Sequence, residues 1–351
     1  MKAAAAILLS AVLFVGSTPT HAADKLPTRL DDTTFWNMVS MFSEPDGHFR
    51  YENLLSNETS YQMVIPSLIK VAPPDGVYIG VGPEQNFTYI AALRPNVAFI
   101  VDIRRQNMLE HLMYKAVFEL SENRADFVSQ LFSRKPMSAV EDSATARELF
   151  KNYESRECDR VLLMQTLQRV FDRLGRSQGF PITVEDKGTI EHILETFCLA
   201  GPQIDYGFVN APSNLMAPSY VDLMKATDAR GRNWSYLATE ENFNRVREMQ
   251  LRNLIVPLTG DFAGPKTLRA IGTYLKHYKA PVAAFYVSNV EQYLDKKSTA
   301  FRDNVAALPS TPGSTLVRFT PPESTQLEPI RVFLAKKGSL FHLLNEKELL
   351  P

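Results

Sequence analysis

The sequence predicts an α/β protein built on a mostly parallel sheet, with helical insertions and an antiparallel hairpin at its C-terminal edge. Three observations carry this reading. Largely apolar runs without alternation at residues 77–81, 97–101, 253–258 and 282–287 read as strands buried on both faces. Helix-period segments separate most of them, so strand and helix alternate. The last two predicted strands are joined by a Pro-containing loop instead of a helix, which points to a hairpin.

The elements follow in order. Asp31 and Asp32 open an apolar-periodic stretch that predicts a short helix over 31–42. Residues 60–70 read as a second helix, interrupted by Pro66, and Pro73-Pro74-Asp75-Gly76 breaks it. The strand at 77–81 is followed by a helix over 85–94 with Phe87, Ile90, Ala91 and Leu93 inward. The strand at 97–101 ends at Asp102. Met108, Leu109, Leu112, Met113, Ala116, Val117 and Leu120 then repeat with helical period. Residues 124–200 are mostly helical, with amphipathic helices over 159–174 and 187–199 joined by a loop holding Gly179 and Pro181. Strand, helix and strand return at 253–258, 265–278 and 282–287, and residues 315–319 and 330–335 are expected to form the hairpin. The organisation expected is a leader (1–22), an N-terminal helical segment (23–75), and one sheet domain (76–351) with its helical insertion at 124–200.

The chain starts with Met1-Lys2, an apolar stretch over 3–15, and Thr20-His21-Ala22 with small residues at both cleavage positions. This is the layout of a secretory signal peptide removed after Ala22, so the protein is expected to be exported, periplasmic or secreted. No later run approaches the length of an apolar span, so no integral membrane segment is expected in the mature chain. Of the 351 residues 45% are hydrophobic and 22% charged, and the net charge is −1. Without a basic stripe, a nucleic-acid partner is not expected. The two cysteines have no metal-type spacing, and no HExxH is present, so no metal site is predicted. Cys158 stands before the first helix of the 159–199 pair and Cys198 near the end of the second. An antiparallel hairpin would bring them together, and an exported chain would oxidise them to a disulfide.

The most informative stretch is Val77-Tyr78-Ile79-Gly80-Val81-Gly82-Pro83-Glu84-Gln85-Asn86, a strand, a glycine turn and a helix start. Asp102 follows 22 residues after Gly80, at the end of the next strand. Glycines allow a sharp turn and close approach of backbone to ligand, and an acid at the second strand end can accept ribose hydroxyls, the logic of a Rossmann fold. A dinucleotide is disfavoured. The third glycine position holds Gln85, and a carboxylate at Glu84 would repel a pyrophosphate. S-adenosylmethionine has no phosphate, and Glu84 could meet its ammonium. Asp261 and the pair Asn289 and Glu291 end the later strands, on the rim where open α/β sheets bind ligands. The expected ligand cleft is therefore Gly80, Gly82, Glu84, Asn86, Asp102, Asp261, Asn289 and Glu291. The acids on this rim read equally as a ligand or cation site and as helix caps. Residues 53–58 read as the cap of the second helix, with a lid over the rim as the alternative. Tyr206, Asn210 and Asn214 fall in a loop to which the sequence assigns no role.

Gly80-Val81-Gly82, Asp102 and the later strand ends resemble class I S-adenosylmethionine-dependent methyltransferases over residues 76–122 and 250–335. Nearly the whole mature length is similar to a family of uncharacterised, exported bacterial proteins with that fold, and a leptospiral surface lipoprotein is similar as well. Residues 80–87, 101–107, 260–265 and 288–293 carry this resemblance. It implies a methyltransferase-like Rossmann domain with a small-ligand cleft and no established activity. Two positions depart from true methyltransferases: Tyr78 replaces the usual acid before the glycines, and Glu84 stands where a further glycine is common. No general base pair or nucleophile is evident. The expectation is a small nucleoside-like ligand or a cation, with S-adenosylmethionine chemistry, or a scaffold for envelope or host contacts, as alternatives.

Overall fold

The computed structural model describes residues 25–209, 217–294, 297–320 and 324–336. The expected leader lies outside them, as do Asn210 and Asn214. Two helices lead in: α1 (Asp32–Phe42), capped by Asp31, and α2 (Ile65–Val71). The sheet begins with β1 (Val77–Gly80), α3 (Gln85–Leu93), β2 (Ala98–Asp102) and α4 (Arg105–Leu120). A helical stretch follows: α5 (Arg124–Phe132), α6 (Ala146–Lys151), α7 (Arg160–Phe171), α8 (Val184–Ala200), α9 (Tyr206–Val209), α10 (Tyr220–Lys225) and α11 (Glu240–Leu251). The sheet resumes with β3 (Ile255–Thr259), α12 (Thr267–His277), β4 (Val282–Ser288), α13 (Ser298–Ala307), β5 (Thr315–Thr320), β6 (Ser324–Pro329) and α14 (Ile330–Ala335).

The six strands run in the order β3-β2-β1-β4-β5-β6. All pairs are parallel except β5 and β6, which close the edge as an antiparallel hairpin. β1 to β3 are buried at every residue, as expected of strands covered by helices on both faces. The chain walks outward from β1 through β2 to β3, then returns to the other side of β1 with β4. The strand order thus reverses between β1 and β4, and in an open α/β sheet that reversal opens a crevice at the carboxyl ends of the strands.

Three expectations are corrected. Residues 60–64 form turns, and α2 starts only at Ile65, so Pro66 occupies its first turn, where a missing N–H costs nothing. Residues 330–335 are helix, not strand. The hairpin strand is the preceding segment, and Pro329, with no N–H to donate, ends its ladder. Ile330 and Phe333, three apart, then bury one helical face. The helical insertion runs past residue 200, through α10 and α11, to the start of β3.

The α7–α8 pair closes as expected. Cys158 and Cys198 are disulfide-bonded, with their Cα atoms 5.1 Å apart. α8 begins earlier than the apolar pattern suggests, because Thr183 and Asp186 form a reciprocal capping box. Among the described residues, no helix is long and apolar enough to cross a membrane.

Candidate functional site

The turn after β1 is held from below. Asn86 donates from one amide to the carbonyls of Val81 (3.0 Å), Gly82 (3.0 Å) and Pro83 (2.8 Å), and its own carbonyl oxygen accepts from Tyr78 Oη (2.8 Å). His111 Nε2, from α4, lies 2.9 Å from the Gly82 carbonyl. Burial pushes its imidazole down to about 4, against the pull of that carbonyl. It is therefore neutral and donates from Nε2. Both glycines are required here. A Cβ on Gly80 would fall 1.9 Å from Asn86 Oδ1, and Gly82 has φ +77°.

The chain before α2 crosses this rim as a strap. Glu44 N–H donates to Thr259 O at the end of β3 (2.8 Å). Gly47 N–H donates to Ile103 O beyond β2 (2.9 Å), and Asp46 accepts from Arg105 N–H (2.6 Å). Ser56 N–H donates to Glu84 (3.2 Å), after β1. Glu58 accepts from Ser288 Oγ, at the end of β4. Residues 44–58 thus touch the four strand ends in their spatial order. Glu52 adds a lateral tie, accepting from Gln106 Nε2 (2.5 Å) and lying 3.0 Å from His192 Nε2 on α8.

Between strap and rim lies a cleft of about 1350 Å³. Its walls include Gly82, Gln85, Asp102, Arg104, Asp261, Tyr286 and Asn289 from the sheet side, and Asn53, Ser56 and Glu58 from the strap. Phe49 and Tyr293, with ring centroids 5.1 Å apart, and Tyr206, 5.8 Å from Tyr51, supply aromatic surface. Of the eight site residues expected from sequence, Gly82, Asp102, Asp261 and Asn289 line this cleft. Gly80 and Asn86 lie beneath it as supports of the turn. Glu84 is buried against the Ser56 amide, so it does not face a ligand. Glu291 pairs with Arg318 (2.6 Å), away from the cleft wall.

The acids of the rim have their own partners. Arg104 grips Asp102 through Nε (3.1 Å) and Nη2 (3.2 Å), and both side chains are buried. Burial opposes the guanidinium charge, but the Asp102 charge and hydrogen bonds outweigh it and raise its pKa. Asp261 accepts from Ala263 N–H (2.9 Å) and from Lys297 (3.0 Å). Among the described residues no group of three His, Cys, Asp or Glu side chains is placed to hold a metal ion. The expectation that residues 53–58 cap α2 is corrected: α2 has no side-chain cap, and Ser56, Asn57 and Glu58 face the cleft instead.

Two features escaped sequence reasoning. Glu44 accepts from the N–H groups of Asp261 (3.1 Å), Lys266 (2.8 Å) and Thr267 (2.9 Å), so a carboxylate from the strap fills the amide-lined start of α12. Three glutamates are also buried near the switch point. Burial raises Glu58 and Glu84 to about 7 each, against the Ser288 hydrogen bond and the nearby Tyr286 hydroxyl for the first and the Glu84 and Ser56 amides for the second. Glu110 is held well above the usual carboxylate range, by burial first and then by the Glu84 charge. The signal available in sequence was faint: Glu110 sits one residue before His111 within the Met108–Leu120 apolar period of α4.

Residues 54–347 match a family described as a domain of unknown function (DUF7790). The chain belongs to this family. The DUF7790 match takes in Glu58 and every strand end of the rim, while the strap residues Glu44 to Asn53 precede it. No curated protein matches the chain.

Proposed function

We propose that this is an exported protein, periplasmic or secreted, whose methyltransferase-like fold binds a small nucleoside-like molecule in the cleft under the strap. The observation that carries this reading is the cleft itself: it lies at the reversal of strand order and combines aromatic rings with a few polar groups, the ordinary composition of a small-molecule site. Phe49, Tyr206 and Tyr293 offer faces for a planar ring. The ribose of a nucleoside or of S-adenosylmethionine would not be held by the Asp102 carboxylate, which Arg104 already occupies with two hydrogen bonds, and Glu84, expected to meet the ammonium of S-adenosylmethionine, is turned away. A cation alone is a poor fit, since Asp102 and Asp261 are each neutralised by a basic side chain. The disulfide suits an oxidising compartment, as the expected leader requires.

Calorimetry with adenosine, S-adenosylmethionine and S-adenosylhomocysteine tests the reading. The expected result is micromolar binding of adenosine. Binding of the two sulfur compounds without adenosine would return the protein to the methyltransferases, and silence with all three would overturn a nucleoside-like ligand. Intact mass of the exported protein tests the leader: the expected species begins after Ala22.

A further inference from the structure

Glu58 differs from the other acids of the cleft. Asp102 has Arg104 and Asp261 has Lys297, but among the described residues no cation pairs with Glu58. Its residue exposure is 2%, one oxygen accepts from Ser288 Oγ, and the other, Oε2, has no hydrogen-bond partner although the side chain lines the cleft. The titratable groups facing it are phenols: Tyr78 on β1, Tyr89 on α3 and Tyr286 on β4. Burial holds all three well above the ordinary tyrosine range, so they are neutral. His48 and Arg50 belong to the cleft lining but are exposed on the strap. Ser288, which positions the carboxylate, has φ +51°, a left-handed conformation that a non-glycine residue adopts under constraint.

An uncompensated carboxylate oxygen in a buried aromatic setting is costly unless something neutralises it. We propose that Glu58 is the receptor for a protonated amine of the ligand, seated among Tyr286, Ser288 and the aromatic wall of the cleft. This deepens the small-ligand reading of the same cleft and rests on it. Rings lend a cation further support through their π faces. Burial leaves Glu58 protonated part of the time near neutrality, at about 7. An incoming ammonium favours the carboxylate form, so binding transfers the Glu58 proton to solvent. Affinity should therefore rise with pH through about 7 and fall only where the amine loses its own proton.

The test compares two probes of the same shape, 2-phenylethylamine and 2-phenylethanol, by calorimetry at pH 6, 7 and 8 in buffers of different ionisation enthalpy. The amine should bind at least tenfold more tightly than the alcohol, gain roughly tenfold in affinity between pH 6 and 8, and release protons on binding. Glu58→Gln should abolish the preference and the pH slope. The Glu58 carboxyl carbon resonance in the unsubstituted protein gives an independent readout: its titration midpoint should move down when the amine is added. Equal binding of amine and alcohol, a midpoint that stays in place, or failure of the amine to bind overturns the proposal. Adenosine binding with no amine preference would retain the nucleoside reading and remove only the Glu58 assignment. Amine preference without adenosine binding would do the reverse.

Discussion

Glu84 is a carboxylate that the fold prefers to keep protonated. Its pKa is raised from 4.5 to about 7, so the folded protein holds a proton that the unfolded chain releases. The stability this adds is full below pH 4.5 and is lost as pH rises through about 7. Glu84→Gln keeps an acceptor for the Ser56 amide without the charge. It should stabilise the protein by ~1–3 kcal/mol at pH 8, with little effect at pH 4, as read by urea unfolding at the two pH values. A variant no more stable than the parent at pH 8 would show that Glu84 is solvated in the native state. Gly80→Ala makes the opposite case, because its methyl meets Asn86 Oδ1 and the Tyr78 ring. A loss of about 2 kcal/mol or more in thermal or urea unfolding is expected, since the amide that fastens three carbonyls of the turn must shift. The glycine pair was legible in sequence, because the turn chemistry is local. The role of Asn86 and the burial of Glu84 were not, because both depend on groups that other elements bring: Tyr78, His111 and Ser56.

Strands and long helices were legible because apolar periodicity reports burial directly. The exceptions share a cause. Residues 330–335 are apolar enough for either state, and only Pro329 distinguishes the two. The strap lacks periodic structure of its own, so nothing local announces that it crosses the rim. Its anchoring is nonetheless testable. Removing the Glu44 carboxylate leaves the N–H groups of Lys266 and Thr267 without their acceptor at the start of α12. Glu44→Ala should cost ~1–2 kcal/mol and loosen the strap, seen as faster hydrogen exchange over residues 44–58. If exchange there is unchanged, the strap is held by its other ties. The α7–α8 pair depends on its disulfide, whose cysteines are 40 positions apart. Reducing it should lower unfolding stability by ~2–4 kcal/mol in the chain-entropy account. Two free thiols in denatured, unreduced protein would contradict the bond.

Across the whole molecule, the cleft is assembled from residues that are remote in sequence. Four of the eight expected residues line the cleft, because strand ends in an alternating α/β pattern must gather on one rim. The strap's contribution was not readable, because no periodicity records its course. The partners are far apart: Glu58 and Ser288 are separated by 230 residues, and β1 pairs with β4 through Tyr78 and Ala284. β2 reaches its outer neighbour β3 only after the long helical stretch. Closing such loops is a cost paid before the contacts form, and it slows folding more than it weakens the finished structure. A growing chain can therefore complete α3, α4 and the α7–α8 hairpin early, but it cannot own a binding site until residue 288 is available. For most of its synthesis, the polypeptide carries β1 with one flank unpaired and Glu58 without Ser288.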